Sequence, residues 1–210
     1  MKLYRCDKAV LRFYPKGADF LKGYTTNEVS APRNAFVDLE GKIVAVFDQF
    51  KRSEDEVWAV LERKFVGRVM EHLKKYLSLT ETQAEVMGSK NVYWDLEAGQ
   101  LVVTDETLPA DVSEEDYTLF RVKNKIPLQG ADFDDEMVLN VAEDELVSYT
   151  KGCYLGQEIV ARVHYRGRPP KKLTVKKARD CSPEEARRLT SKATDRATGE
   201  SYGFVFISSA

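Results

Sequence analysis

Lys151-Gly152-Cys153-Tyr154-Leu155-Gly156-Gln157-Glu158 places a nucleophile between two glycines. Cysteine is the one strongly nucleophilic side chain with an appreciable thiolate fraction near neutral pH, and a preceding lysine and exposed backbone N–H groups raise that fraction. Gly152 and Gly156 permit tight turns or close approach of the backbone to a ligand. On residue types alone, two readings stand: a reactive thiol, or an ordinary buried cysteine at a sheet-to-helix turn. The motif also sits between two fields of charge. Residues 132–150 hold seven acids and no base, whereas 159–179 hold eight Lys/Arg and no acid. Within the basic segment, Arg162, Tyr165, Arg166 and Arg168 have the chemistry to meet RNA, a phosphate or an anionic cofactor tail. A solvated face that compensates the acidic segment is the alternative. A formal charge of −2 and the lack of a nucleic-acid motif favour that alternative over direct nucleic-acid binding.

The three cysteines, Cys6, Cys153 and Cys181, are far apart, no C-x-x-C occurs, and His72 and His164 are the only histidines. A zinc or protein-held iron–sulfur site is therefore not expected, and no metal ligand is assigned. Reduced thiols, an N-terminus without an apolar signal core and the absence of a membrane-length apolar run read as a cytoplasmic protein with no membrane partner. The oligomeric state is not readable from the sequence.

Several elements must position these residues. Residues 9–14 read as a strand. The segment Lys22-Gly23-Tyr24-Thr25-Thr26-Asn27-Glu28-Val29 reads as either a helix end or a binding loop. Residues 34–39 and 42–50 flank Glu40-Gly41 and read as a hairpin. After a strand at 57–61, Phe65, Val69, Leu73 and Leu77 recur every fourth residue and predict a helix over 63–77. Strands follow near 84–87, 91–96 and 100–104. Ser113 with Asp116, and Ser182 with Pro183, mark two helix starts.

At this length of match the motif resembles a known signature. From Lys151 through Arg162, and on to Tyr165-Arg166-Gly167, the chain is similar to the YgfZ family of folate-binding, glycine-cleavage T-protein-like proteins. Phe20-Leu21-Lys22-Gly23, Thr26-Asn27-Glu28-Val29, Gly41-Lys42-Ile43, Thr190-Ser191 and Gly203-Phe204-Val205 resemble other elements of that family in the same order. The resemblance implies an α+β, T-protein-like folate-binding fold with antiparallel sheets and packed helices. Residues 1–170 would form the folate-binding region, with 52–112 an inserted α+β subdomain. Residues 171–210 would form a shortened, barrel-like carboxy-terminal segment.

The same resemblance implies a tetrahydrofolate-type cofactor and a role assisting iron–sulfur proteins or their assembly machinery, with indirect effects on tRNA modification. Cys153 becomes the candidate reactive residue, with Lys151 favouring its thiolate and Glu158 and Gln157 orienting the motif or a partner group. Tyr24 and Asn27 become candidate pocket residues, and Arg162 and Arg166 candidates for a folate glutamate tail. Two departures count against the parent transferase chemistry. Where the transferases carry hairpin acids, this chain has Ala45 and Val46, which cannot accept a proton. Where a glutamate would meet the pteridine edge it has Lys123, which has donors only, and Lys125 replaces a glycine. A scaffold that has lost folate binding, and a folate-dependent one-carbon transferase using other acids, are the alternative functions.

Overall fold

The computed structural model describes residues 1–209. Its strands are β1 (Leu3–Arg5), β2 (Lys8–Tyr14), β3 (Arg33–Val37), β4 (Ile43–Lys51), β5 (Val57–Glu62), β6 (Gln83–Val86), β7 (Asn91–Asp95), β8 (Gln100–Thr104), β9 (Lys171–Lys177), β10 (Thr190–Thr194) and β11 (Ser201–Ser208). Its helices are α1 (Gly17–Tyr24), α2 (Val66–Leu77), α3 (Glu114–Lys123), α4 (Val138–Val141), α5 (Glu143–Leu146), α6 (Gln157–Arg166) and α7 (Pro183–Arg188). None of these helices is long and apolar enough to cross a membrane.

The largest sheet is antiparallel, in the order β3-β4-β5-β2-β6. Period-two alternation gives it two buried faces. Leu11, Phe13, Ala45, Phe47, Ala59 and Leu61 meet Phe20 and Leu21 of α1 and Val69 and Leu73 of α2 on one side. Each fully buried Phe or Leu there contributes about 1.5–3 kcal/mol. On the opposite face Val10 and Val60, paired in register, pack against Val92 of β7. β7 is the centre of a second sheet, ordered β1-β7-β8. The strands expected at 57–61 and 84–87 both join the first sheet, so that sheet draws on residues either side of position 52.

The hairpin expected across Glu40-Gly41 forms as β3–β4, with a register shift between Phe36 and Val37. This irregularity increases the local bend. It carries the hairpin tip out of the first core and into another, where Val37 and Ile43 join Val138, Leu139, Leu146 and Val160.

The barrel-like ending implied by the resemblance is corrected by the structure. Residues 171–208 form an open, antiparallel three-stranded sheet ordered β10-β11-β9, with both margins unclosed. Three strands cannot meet the tilt and stagger that closure of a barrel demands. Instead Leu173 and Phe204 bury one face of this sheet against Val122, Val138 and Val141. The helix starts follow the sequence. Ser182 and Glu185 make a reciprocal capping box with Pro183 at the first helical position. The Ser113 side chain accepts from the Asp116 N–H at 3.1 Å.

Candidate functional site

Cys153 is an exposed, free thiol, and the segment carrying it is fixed on both sides. On the N-terminal side the Ser148 N–H donates to the Thr26 carbonyl at 3.0 Å. Lys151 is buried, and its Nζ donates to the carbonyl oxygens of Thr25 at 2.5 Å and Asn27 at 2.9 Å. Burial pulls its ammonium pKa down to about 8, a fall that the charge of Glu28 only partly opposes. On the C-terminal side the Leu155 N–H donates to the Gly23 carbonyl at 3.0 Å. Gly156 then takes up a left-handed φ of 82° to begin α6. A Cβ at this position would collide with the Asp38 carbonyl oxygen, and one at Gly41 would press on Val160. The two glycines thus let the hairpin tip and the start of α6 touch. Between these clamps Gly152 and Cys153 face solvent.

The loop that receives Lys151 is itself prearranged. Thr25 closes α1 through its hydroxyl, 2.7 Å from the Leu21 carbonyl. The buried Asn34 accepts from the Asn27 N–H at 2.7 Å and donates to the Thr25 hydroxyl and to Gln49 Oε1. Asn27 uses its side-chain amide on the carbonyls of Glu145 and Arg33, at 2.8 and 3.2 Å, and accepts from the Glu28 N–H. The segment 22–29 is therefore a helix end stitched to β3 and α5. Asn34 and Gln49, both buried, were not singled out from the sequence. Their only signal was a polar residue within an apolar-rich strand run.

The remaining candidates are dispersed among local roles. Tyr24 packs at a tilt between Phe20 and Tyr76, with ring centroids 4.5 and 4.7 Å away. Gln157 accepts from the Tyr154 N–H at 3.3 Å, which braces the turn into α6. Glu158 and Arg162 pair with each other at 2.7 Å on the exposed face of α6. Arg166 is exposed at the end of that helix. Beside it, Tyr149 stacks on His164 with centroids 3.7 Å apart, and Glu143 Oε1 accepts from the Tyr149 hydroxyl and lies 2.6 Å from His164 Nδ1.

The positions that depart from the transferase pattern also have partners. Ala45 is fully buried in the apolar core. Lys123 Nζ lies 2.6 Å from Asp195 Oδ2, a bond that raises the lysine pKa and lowers that of the carboxylate. Lys125 holds the left-handed backbone (φ 56°) that suits a glycine.

With this geometry in view, the comparison with solved structures decides the architecture. The crystal structure of the glycine cleavage system aminomethyltransferase T from Bartonella henselae superposes with a TM-score of 0.73, covering 99% of this chain and 78% of that one at 11% identity. The chain has the aminomethyltransferase T fold. No protein-family model matches it. In sequence it is 26% identical over 182 residues to an uncharacterised protein of Haemophilus influenzae, covering 72% of this chain and 65% of that protein. It is 25% identical over 201 residues to the tRNA-modifying protein YgfZ of Photobacterium profundum, covering 70% and 60% respectively. Over 93 residues it is 33% identical to the mouse (Mus musculus) mitochondrial iron-sulfur cluster assembly factor IBA57, covering 42% of this chain and 26% of that protein. The aminomethyltransferase-fold chain is thus related to YgfZ and IBA57, and it spans less than two thirds of the length of each of these curated relatives.

Proposed function

We propose that this chain is an accessory factor for the assembly or repair of iron–sulfur proteins, acting in the cytoplasm, with Cys153 as its reactive group. The observation that carries the reading is the mounting of Cys153. A single thiol is exposed on a segment whose flanks are tied down by Lys151, Leu155 and Gly156. One thiol supplies one ligand or one nucleophile, whereas a resident cluster needs several. The thiol would therefore act on a cluster or a thiol carried by a partner. The names of the relatives YgfZ and IBA57 support that direction, and an effect on tRNA modification would follow indirectly through an iron–sulfur enzyme.

The residues named for the folate pocket do not fit that cofactor, and Arg162 and Arg166, named for its glutamate tail, lie on the exposed face of α6. The hairpin position is the buried methyl of Ala45, the donors of Lys123 are directed to Asp195, and Tyr24, Asn27 and Gln157 are engaged in aromatic packing or backbone bonds. Within the accessory reading, these residues favour a fold retained after loss of folate chemistry.

The test is complementation in cells depleted of the endogenous protein, reading iron–sulfur enzyme activity per unit of enzyme protein. Wild type restores activity, and Cys153→Ala, expressed to the same level, does not. Equal restoration by Cys153→Ala would remove the thiol from the mechanism. Calorimetric titration with tetrahydrofolate checks the second point, with no binding heat expected; saturable binding would overturn it.

A further inference from the structure

We propose that the outer edge of β10 is a docking site for an extended segment of a partner protein, taken up as an added strand in the groove between β10 and α3. The groove encloses about 950 Å³ and is lined along one wall by every residue from Ser191 to Ala197. Side chains of a strand alternate between its two faces. An unbroken lining through Thr194 therefore means that the backbone edge itself faces the groove. β10 lies at the margin of its sheet with β11 as its one strand partner, and among the described residues no backbone hydrogen bond outside that pairing reaches Lys192, Ala193 or Thr194. Exposed edges of this kind template strand addition. β10 has a register shift between Thr190 and Ala193 and a left-handed φ at Ser191, so the incoming segment would pair along Lys192–Thr194, over about 10 Å.

The floor of the groove is fixed. Arg121 lines it, is buried, and uses Nη1 on Asp132 and the Ile126 carbonyl and Nη2 on the Ser191 hydroxyl.

The walls set the chemistry of the segment. α3 presents Glu114, Glu115 and Asp116 above Leu119, while the β10 wall carries Lys192 and Arg196. The segment should therefore carry basic side chains at alternate positions facing α3, with small apolar ones between. Arg196 bridges the groove to Glu115 at 2.9 Å, and both side chains are largely exposed. Such a surface pair contributes roughly 0–1 kcal/mol, so a segment carrying its own cation can displace it. This surface is distinct from the Cys153 segment and does not depend on the role assigned to the thiol.

The experiment uses the full chain and two synthetic capped heptapeptides, Gly-Lys-Val-Lys-Val-Lys-Gly and the same sequence with Glu for Lys. Amide shifts and hydrogen exchange are followed by NMR during titration. The lysine peptide is expected to protect amides of β10 and to bind at least ten-fold tighter than the glutamate peptide. The double variant Glu114→Lys, Glu115→Lys should weaken the lysine peptide at least ten-fold, while Cys153→Ala leaves its affinity unchanged. Absence of β10 protection with either peptide, or equal affinity for both, would overturn the proposal. So would β10 protection that needs no peptide and grows with protein concentration, because that assigns the edge to a second copy of this chain.

Discussion

Between Ser148 and Gly156 the backbone is tied to α1, to the loop after it and to the β3–β4 hairpin, whereas between Lys192 and Thr194 it is tied to one strand on one side. The first region spends its contacts on holding a single thiol still. The second leaves a row of backbone groups open and relies on side chains beneath it for its position. Rigidity at a reacting atom and an unpaired edge at a docking surface are different uses of the same backbone polar groups. Substitutions that act on one region and spare the other test whether this division holds.

The largest effect is expected beneath the open edge. The guanidinium of Arg121 meets Asp132 at 3.0 Å with both side chains buried, and Asp132 also accepts from Thr190 at 2.7 Å and from the Leu128 N–H at 2.8 Å. Arg121→Met leaves that carboxylate buried without its cation, a loss of about 3–5 kcal/mol. Urea unfolding should show it as a fall in midpoint, and hydrogen exchange should show β10 opening before the Cys153 segment does. A loss below about 1 kcal/mol would mean that the apolar contacts of Val122 and Phe204 hold this sheet by themselves.

A smaller but sharper effect is expected at the thiol mount. Gly156→Ala places a methyl against the backbone of Asp38 in a left-handed conformation, and about 2–4 kcal/mol should be lost. Gly152, four residues earlier, has open space around it, so Gly152→Ala should stay within about 0.5 kcal/mol. Thermal melts of the two variants decide whether the glycine pair in the motif is one structural requirement or two. Equal costs would place the clamp somewhere other than the contact with the hairpin.

Much of the fold was legible because its signals are local. The four-residue stripe from Phe65 gives α2, Glu40-Gly41 between apolar runs gives the hairpin, and Ser182-Pro183 with Glu185 gives a capped helix. The shape of the carboxy-terminal sheet was not local: whether strands close depends on their number and stagger, and a motif such as Gly203-Phe204-Val205 reads the same in a barrel and in an open sheet. The site shows the same limit. Reading Lys151 beside Cys153 pointed its ammonium at the thiol, yet its two acceptors lie more than 120 residues away, on Thr25 and Asn27. Asn34 and Gln49, which shape that receiving loop, carry no motif at all.

Lys151 gives the subtlest test of the comparison, because its effect depends on pH. Its folded pKa of about 8 lies below the ordinary lysine value of about 10.4. Between these values the unfolded chain binds more protons than the folded one, so the contribution of this residue to stability rises with pH across that window. The full swing is about 3 kcal/mol, and below pH 8 it appears as the cost of burying the ammonium. Lys151→Met removes that cost but leaves the Thr25 and Asn27 carbonyls without their donor, which costs about 1–3 kcal/mol. The two terms nearly offset at pH 7, where the variant should lie within about 1 kcal/mol of wild type. By pH 9.5 the wild-type amine is largely neutral and still has two N–H donors for the two carbonyls, so the gap in wild type's favour should widen by about 2 kcal/mol. Urea unfolding of both proteins at the two pH values measures the change directly. A gap that stays constant would show that the ammonium is not desolvated by the loop, and that the segment before Cys153 is held by Ser148 and Thr26 without it.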